Sequence, residues 1–246
     1  MLSLYSKLKG KRREPGTTLK FNFLRNKINN MDKELAYLLG AFRDATIDER
    51  KGKNYEIKIA QKNKKWLQLI QKLLKNEFKK EGSITRHMKG YWILRINGKE
   101  IVNKIKEISE MKIPQENWNT PSRIFKSGSE IKVSYIKGFF DAEGGLPKKI
   151  TKKSQKYIIF SQKNKESLEF IRKTLNELDI KPTNLTICGG VWEFRITKRK
   201  SIVKFIETIG SLHPDKKEKL RILKRVSFSP IWRGSTQGVG VAVQLD

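Results

Sequence analysis

Two acidic residues stand where carboxylates are ordinarily unwelcome, at the last turns of two apolar helical stretches about a hundred residues apart. Glu143 closes Tyr135-Ile136-Lys137-Gly138-Phe139-Phe140-Asp141-Ala142-Glu143 just before the pair Gly144-Gly145, and Asp44 closes Ala36-Tyr37-Leu38-Leu39-Gly40-Ala41-Phe42-Arg43-Asp44. The C-terminal end of a helix carries partial negative charge and disfavours an added carboxylate by about 0.3–1 kcal/mol, so each acid calls for a cation. If the two ends meet, the carboxylates also repel each other, and divalent ions are the natural compensation. Such ions, held by hard oxygen ligands, activate a water for in-line attack on a phosphodiester and steady the departing 3′ oxygen, so that no nucleophilic side chain is needed.

Bringing the ends together requires the helices to lie side by side. Ser134, Gly138 and Ala142 recur at every fourth position and form one face along which another helix backbone can approach closely; Ala36 and Gly40 take the same places in the first stretch. The second helix is expected from about Ile131, after the polar run Ser127-Gly128-Ser129-Glu130, to the glycines at 144 and 145; the first runs from an Asp32 cap to about Asp44. The duplication extends further. Gly40 pairs with Gly138, Gln61 with Gln162, and Gly90-Tyr91-Trp92-Ile93-Leu94-Arg95-Ile96 with Gly190-Val191-Trp192-Glu193-Phe194-Arg195-Ile196, all at nearly one offset, which indicates an internal repeat of about a hundred residues.

These residues resemble the LAGLIDADG homing endonucleases in their single-chain, two-motif form. Ile136-Lys137-Gly138-Phe139-Phe140-Asp141-Ala142-Glu143-Gly144 is similar to the family signature almost position for position, and the resemblance covers roughly residues 31–228. It implies an α+β fold of two pseudo-symmetric αββαββα repeats forming a DNA-binding saddle, with the two motif helices packed at its centre. It also implies site-specific double-strand cleavage of DNA with Mg²⁺ or Mn²⁺, by an intron-encoded enzyme acting as a monomer. Residue by residue, Asp44 and Glu143 correspond to the metal-binding acids, with the backbone of Ala45 and Ala142 as further ligands. Gln61 and Gln162 resemble the polar residues that order active-site water, Lys216 the active-site lysine, and Lys112 its counterpart in the first repeat. The first motif departs from the pattern: aligned without a gap, the acidic position falls on Ala45 and the following glycine on Thr46. Either Asp44, one residue early, substitutes, or this half has lost its acid; Asp48, beyond the helix end, is a third choice.

Composition narrows the partner. The 246 residues carry 54 Lys and Arg against 25 Asp and Glu, a formal net charge of +29, far more than solubility needs and suited to a polyanion. No run of 18 apolar residues occurs, and the basic residues are spread over strands and loops instead of one amphipathic helix, which disfavours a membrane. A single cysteine, Cys188, excludes internal disulfides and thiolate-rich zinc sites, and His87 and His213 are the only imidazoles.

Along the chain, residues 1–30 form a basic arm, 31–113 the first repeat, 114–129 a Pro- and Ser-containing linker, 130–228 the second repeat and 229–246 an unassigned tail. Strands are expected at 55–61, 83–88 and 91–97, and again at 148–153, 156–162, 184–188 and 191–197. Helices are expected at 64–78, 99–110, 164–178 and 199–210, and a basic helix after His213-Pro214-Asp215 to about Arg225. In the strand after each turn glycine the tryptophan face is core, which leaves Arg95 and Arg195 on the other face with Lys58, Thr85 and Thr186. His87, Tyr91, Asn97, Glu193 and Thr197 complete a candidate DNA-reading set, since a β-ribbon fits the major groove.

Two other classes compete. A cleavage-deficient relative acting as an RNA-splicing maturase on intron RNA, or as a DNA binder, draws support from Ala45; a basic structural nucleic-acid protein is disfavoured by the duplicated acids. A prokaryotic cytoplasm or an organelle is the expected location, and secretion is not.

Overall fold

The computed structural model describes residues 31–50, 54–112 and 117–228. Helix α1 (Lys33–Ala41) starts at Asp32, whose carboxylate accepts from the Leu35 amide at 2.8 Å, and every residue from Leu35 to Ala41 is buried, as befits a helix apolar all round. Its last turn tightens into a 3-10 segment (Phe42–Asp44), and the chain passes directly into β1 (Ala45–Arg50). Then follow β2 (Asn54–Gln61), α2 (Lys64–Phe78), β3 (Ser83–Arg86), β4 (Trp92–Asn97) and α3 (Lys99–Ser109). After a short α4 (Ser122–Phe125), the second unit repeats the plan: α5 (Ser129–Glu143), β5 (Gly144–Gly145), β6 (Ile158–Gln162), α6 (Lys165–Glu177), β7 (Thr186–Cys188), β8 (Val191–Ile196) and α7 (Arg199–Thr208), with α8 (Pro214–Phe228) appended. The fold is α+β, with two antiparallel four-stranded sheets ordered β1-β2-β4-β3 and β5-β6-β8-β7.

Matching residues start matching helices. Asn63 accepts from the Trp66 amide at 3.1 Å and Asn164 from the Ser167 amide at 2.8 Å, each a residue that follows its strand by two. The strand expected at 148–153 does not form: β5 ends at Gly145, Pro147 interrupts the run, and Thr151 and Ser154 close a turn by reciprocal side-chain bonds of 2.8 and 3.1 Å. The expected helix start at Ile131 falls at Ser129, and the strand ends at 87–88, 91 and 184–185 lie in turns or loops. The basic arm, the tail and the turn at 51–53 lie outside the described residues.

The two long motif helices meet through their small residues. A Cβ on Gly40 would lie 2.6 Å from the Phe139 amide nitrogen and nearer still to the Tyr135 carbonyl; one on Gly138 would lie 3.0 Å from the Ala41 nitrogen and nearer still to the Tyr37 carbonyl. Backbone therefore touches backbone, and neither position tolerates a methyl group. Ser134 Oγ donates to the Lys33 carbonyl at 2.6 Å, fixing the axial register. The inner sheet faces (Ile57, Ile59, Leu94, Ile96; Ile158, Phe160, Phe194, Ile196) are buried under α2–α3 and α6–α7, each large side chain contributing roughly 1.5–3 kcal/mol. Trp92 and Trp192 close this face at its end, half-buried beneath Lys64 and Lys165, whose ammonium groups lie 4.3 and 4.9 Å from the ring centroids.

Candidate active site

Strand register shows which residues of the two halves correspond. Ala45 pairs with Ile59 in one sheet, and Gly144 pairs with Phe160 in the other; two residues beyond these partners stand Gln61 and Gln162. One residue before Ala45 and Gly144 stand Asp44 and Glu143. The 3-10 turn supplies the missing residue: four positions separate Gly40 from Asp44 where five separate Gly138 from Glu143, yet both acids arrive at the same point of their sheets.

Each acid is met by its glutamine. Gln61 Nε2 donates to Asp44 Oδ2, and Gln162 Nε2 approaches Glu143 Oε1 at 3.5 Å. Lys216, in the first turn of α8, donates from Nζ to the carbonyls of Phe140 and Asp141 at 2.7 and 2.8 Å, so the cation that the α5 C-terminus calls for comes from this side chain. Its charge is felt at Asp44 and Glu143 alike.

Burial pushes the Asp44 carboxyl up to about 6, against the Gln61 bond and the Lys216 charge. Burial and then the nearby Asp44 charge push Glu143 up to about 7, partly offset by Arg43, Lys216 and Gln162. Lys216 is drawn down to about 8 by burial, against the pull of Asp141, Asp44 and Glu143. Two half-buried carboxyls that hold protons this tightly are short of positive charge. Asp44 and Glu143 carry hard oxygen donors only, and among the described residues no group of three or more His, Cys, Asp and Glu could hold a metal ion. Mg²⁺ and Mn²⁺ accept such donors, keeping waters and substrate phosphates as their remaining ligands.

A pH dependence follows, with a definite sign. Both acids have folded pKa values above those near 4 of an unfolded chain, so between about pH 4 and 7 the fold binds protons that the unfolded chain has released, and their contribution to stability is lost as pH rises through that window. A divalent ion held by these two carboxylates would displace those protons, so MgCl₂ is expected to raise Tm by several degrees at pH 8 and by little at pH 5.5, as read by calorimetry. An equal rise at both values would separate the ion from these carboxylates.

Residues beyond those singled out from the sequence hold the site in shape. Asp141, fully buried, accepts from Tyr37 Oη at 2.6 Å, from Ser211 Oγ, and from the Leu212 and His213 amides at 2.8 and 3.1 Å. The Trp66 indole donates to the same Tyr37 oxygen at 2.9 Å. Residue 141 thus fixes the turn into α8 with its side chain and Lys216 with its carbonyl. Asn63 Nδ2 reaches Asp215 at 2.9 Å, tying the α2 cap to the start of α8. On the other side Arg43, buried, donates to Ser167 Oγ at 3.1 Å across the two halves. A carboxylate on the apolar helix of the second motif was itself the signal that buried donors must lie nearby.

The other sequence-derived candidates separate. Lys112 is exposed and makes no contact like that of Lys216; its carbonyl accepts from the Trp118 indole, and its side chain lines a polar pocket of about 450 Å³ with Asn119, Lys163 and Asn164. Ala45 is 1% exposed, with its N–H bonded to the Phe42 carbonyl, and Ala142 is half-buried. Asp48 lies along β1, opposite Glu56, where its carboxylate is 3.7 Å from Lys58.

On the outer sheet faces, Lys58 pairs with Arg95, Thr85 with Ile93, and Thr186 with Glu193, while Arg195 stands opposite Ile159. Asn97 and Thr197 lie at the strand ends, and the His87 and Tyr91 rings stack in the β3–β4 turn with centroids 4.3 Å apart. The outer faces of the two halves therefore carry polar side chains, interrupted by Ile93 in the first half and Ile159 in the second.

The duplicated architecture matches known proteins. The family model for the LAGLIDADG-like domain matches the chain twice, over residues 32–109 and 130–210. The chain is 31% identical over 218 residues to the homing endonuclease I-ApeI of Aeropyrum pernix, a match spanning 83% of this chain and 96% of that protein. The structure of I-DmoI in complex with DNA and Mn is similar at a TM-score of 0.56 and 24% identity over 74% of this chain and 98% of that one. Mesophilic variants of the homing endonuclease I-DmoI give a TM-score of 0.55 at 25% identity, over 72% and 95% of the two chains. With two copies of the domain in tandem, each placing an acid beside a glutamine where its first helix gives way to its first strand, the chain belongs to the LAGLIDADG family.

Proposed function

We propose that this chain is a homing endonuclease that cuts both strands of duplex DNA at a long specific site, acting as a monomer with Mg²⁺ or Mn²⁺. The observation that carries this reading is the convergence of Asp44 and Glu143, from equivalent points of two sheets, around one half-buried lysine, Lys216. Its relatives support it: I-ApeI is named a homing endonuclease, and I-DmoI has been seen with DNA and Mn.

The roles divide by position. Asp44 and Glu143 would hold the cation, which when bound supplies a Lewis acid for the phosphoryl oxygens and lowers the pKa of a water. Gln61 would turn its amide oxygen to a solvent molecule beside Asp44, whereas Gln162 Oε1 already accepts from the Lys163 amide at 2.8 Å and would add a second acceptor contact to solvent beside Glu143. Lys216 brings a positive charge to the side of both carboxylates, next to where negative charge builds on a scissile phosphate. Outer faces of both sheets would lie in the major groove on either side of the cut, with lysines meeting phosphates.

The test is cleavage selection from randomised duplexes in MgCl₂, MnCl₂ or CaCl₂, followed by affinity for the selected site against salt. Double-strand breaks at one enriched sequence are expected, and at least about six phosphate contacts would give a slope of log K against log salt steeper than about −5. A slope shallower than about −3 would sink the reading. Tighter binding to structured intron RNA without DNA cleavage would replace it with the maturase.

A further inference from the structure

Two arginines occupy one position in the two halves, and neither is left to wave in solvent. Arg95 on β4 and Arg195 on β8 each lie one residue before the buried isoleucine, Ile96 or Ile196, that anchors the strand. Arg95 Nη1 is bonded to Glu56 Oε1 at 2.9 Å; Glu56 Oε2 also holds Lys58 Nζ at 2.7 Å, and Lys58 lies 3.7 Å from Asp48. Glu56 is 7% exposed, and although burial raises its pKa, bonds from Lys58 and Arg95 bring it below the usual carboxylate range.

The second half solves the same problem with different residues. Glu56 pairs with Asn97, and the residue corresponding to it, one before the Ile158–Ile196 pair, is Tyr157. The Arg195 guanidinium lies over the Tyr157 ring at 5.3 Å, and its Nη2 is bonded to Glu193 Oε1 at 3.0 Å, a carboxylate from its own strand. Both guanidinium groups are therefore oriented before any ligand arrives, each by a carboxylate on one edge. Their charges are largely cancelled in place: Asp48, Glu56, Lys58 and Arg95 sum to zero, and so do Glu193 and Arg195. Cations neutralised in this way are poor phosphate clamps, yet a fixed fork with five N–H donors retains donors for two acceptors side by side.

We propose that Arg95 and Arg195 are the matched guanine-reading side chains of the two half-sites, held for bidentate contact with guanine O6 and N7 by Glu56 in the first half and by Glu193 and Tyr157 in the second. This rests on the endonuclease reading above. Glu56 is a positioning residue: it orients the reader and itself touches no base. The halves differ one step further along, where Lys58 beside Arg95 is replaced by Ile159 beside Arg195. The target is therefore not a perfect palindrome, although it carries guanines at equivalent distances from its centre.

The experiment is binding selection from randomised duplexes in CaCl₂ with the full chain, sequencing the pools for wild type, Arg95→Ala, Arg95→Lys, Arg195→Ala and Glu56→Gln. Wild type should enrich guanine at two positions symmetric about the centre. Arg95→Ala should erase one of them by about tenfold or more in preference, and Arg195→Ala the other. Arg95→Lys, which keeps the charge but not the fork, should lose the same guanine while keeping non-specific affinity. Glu56→Gln should blur that guanine alone and raise affinity for random DNA, an effect that a merely structural role would not produce. Enrichment of other bases at those positions, or variants that weaken every sequence equally, would overturn the assignment while leaving the endonuclease reading in place. A wild type that enriches no sequence at all would overturn the site-specific reading and this inference with it.

Discussion

Glu143→Gln should lower divalent-dependent cleavage of duplex DNA by about a hundredfold or more, while affinity for the same duplex stays within a few-fold of wild type. A hundredfold is about 2.7 kcal/mol of transition-state stabilisation, a modest demand on the loss of one of two carboxylates if they hold the cation as proposed. Affinity should survive because Glu143 lies at the end of α5, next to Asp44 and Gln162 and away from the outer faces that present Arg95 and Arg195. The variant carries its own control for folding. In wild type, burial and the Asp44 charge push the Glu143 carboxyl up to about 7, so at pH 8 its ionised form is held at a cost. A neutral amide removes that cost, and the metal-free variant should melt no lower than wild type at pH 8, whereas its stabilisation by MgCl₂ should largely disappear. Cleavage at the wild-type rate by a variant that folds and binds would remove Glu143 from the chemistry.

Much of the scaffold was legible because its causes are local. The small faces of Ala36, Gly40, Ser134 and Gly138 announce a close helix crossing, and a Cβ at either glycine would indeed meet the partner backbone. Alternation around Trp92 and Trp192 separates core from outer face without any tertiary knowledge, since side chains of a strand alternate. The strand expected at 148–153 transfers the plan of the first repeat to a segment where Pro147 and the Thr151–Ser154 turn break the extended run. Contacts between distant segments were hidden for a different reason. Nothing in the run Trp66 to Tyr37 to Asp141 to Ser211 is periodic; it is a chain of hydrogen bonds joining three helices and the turn before α8, visible only once they are packed. The same holds for Glu56, which reads as the polar side of an amphipathic strand until Arg95 is placed diagonally opposite.

Lysine at the site was legible in one half only. The turn before α8 is pinned by Asp141, which accepts two of its amides, so Lys216 enters the site on a fixed helix start. Lys112 precedes residues outside the described range and stays at the surface. Among the described residues the two carboxylates therefore lean on one shared lysine, together with Arg43 on the Glu143 side. The surroundings of the two acids are thus unequal, which bears on the acid with the less regular helix end.

Asp44→Asn should abolish cleavage of at least one strand, leaving at most a nicked product from a supercoiled plasmid carrying the selected site, while Ala45→Asp should gain nothing. The alignment without a gap favours position 45, but the strand register favours Asp44. Ala45 takes the place of Gly144 in strand pairing, and the 3-10 turn through Phe42 delivers Asp44 to the place of Glu143, beside Gln61 and within reach of the Lys216 charge. Asparagine there keeps the shape and a hydrogen bond to Gln61 but loses the charge that would hold the cation, so the loss should appear in rate and in divalent stabilisation, with little change in DNA affinity. Ala45 is 1% exposed and points with Ile59 into the core. A carboxylate forced into that position would be buried without a partner, at a cost on the order of 3 kcal/mol or more, so Ala45→Asp should melt at a clearly lower temperature. If Asp44→Asn cuts both strands at the wild-type rate and Ala45→Asp cuts faster, the strand register has been misread as function, and the first half holds a decayed site.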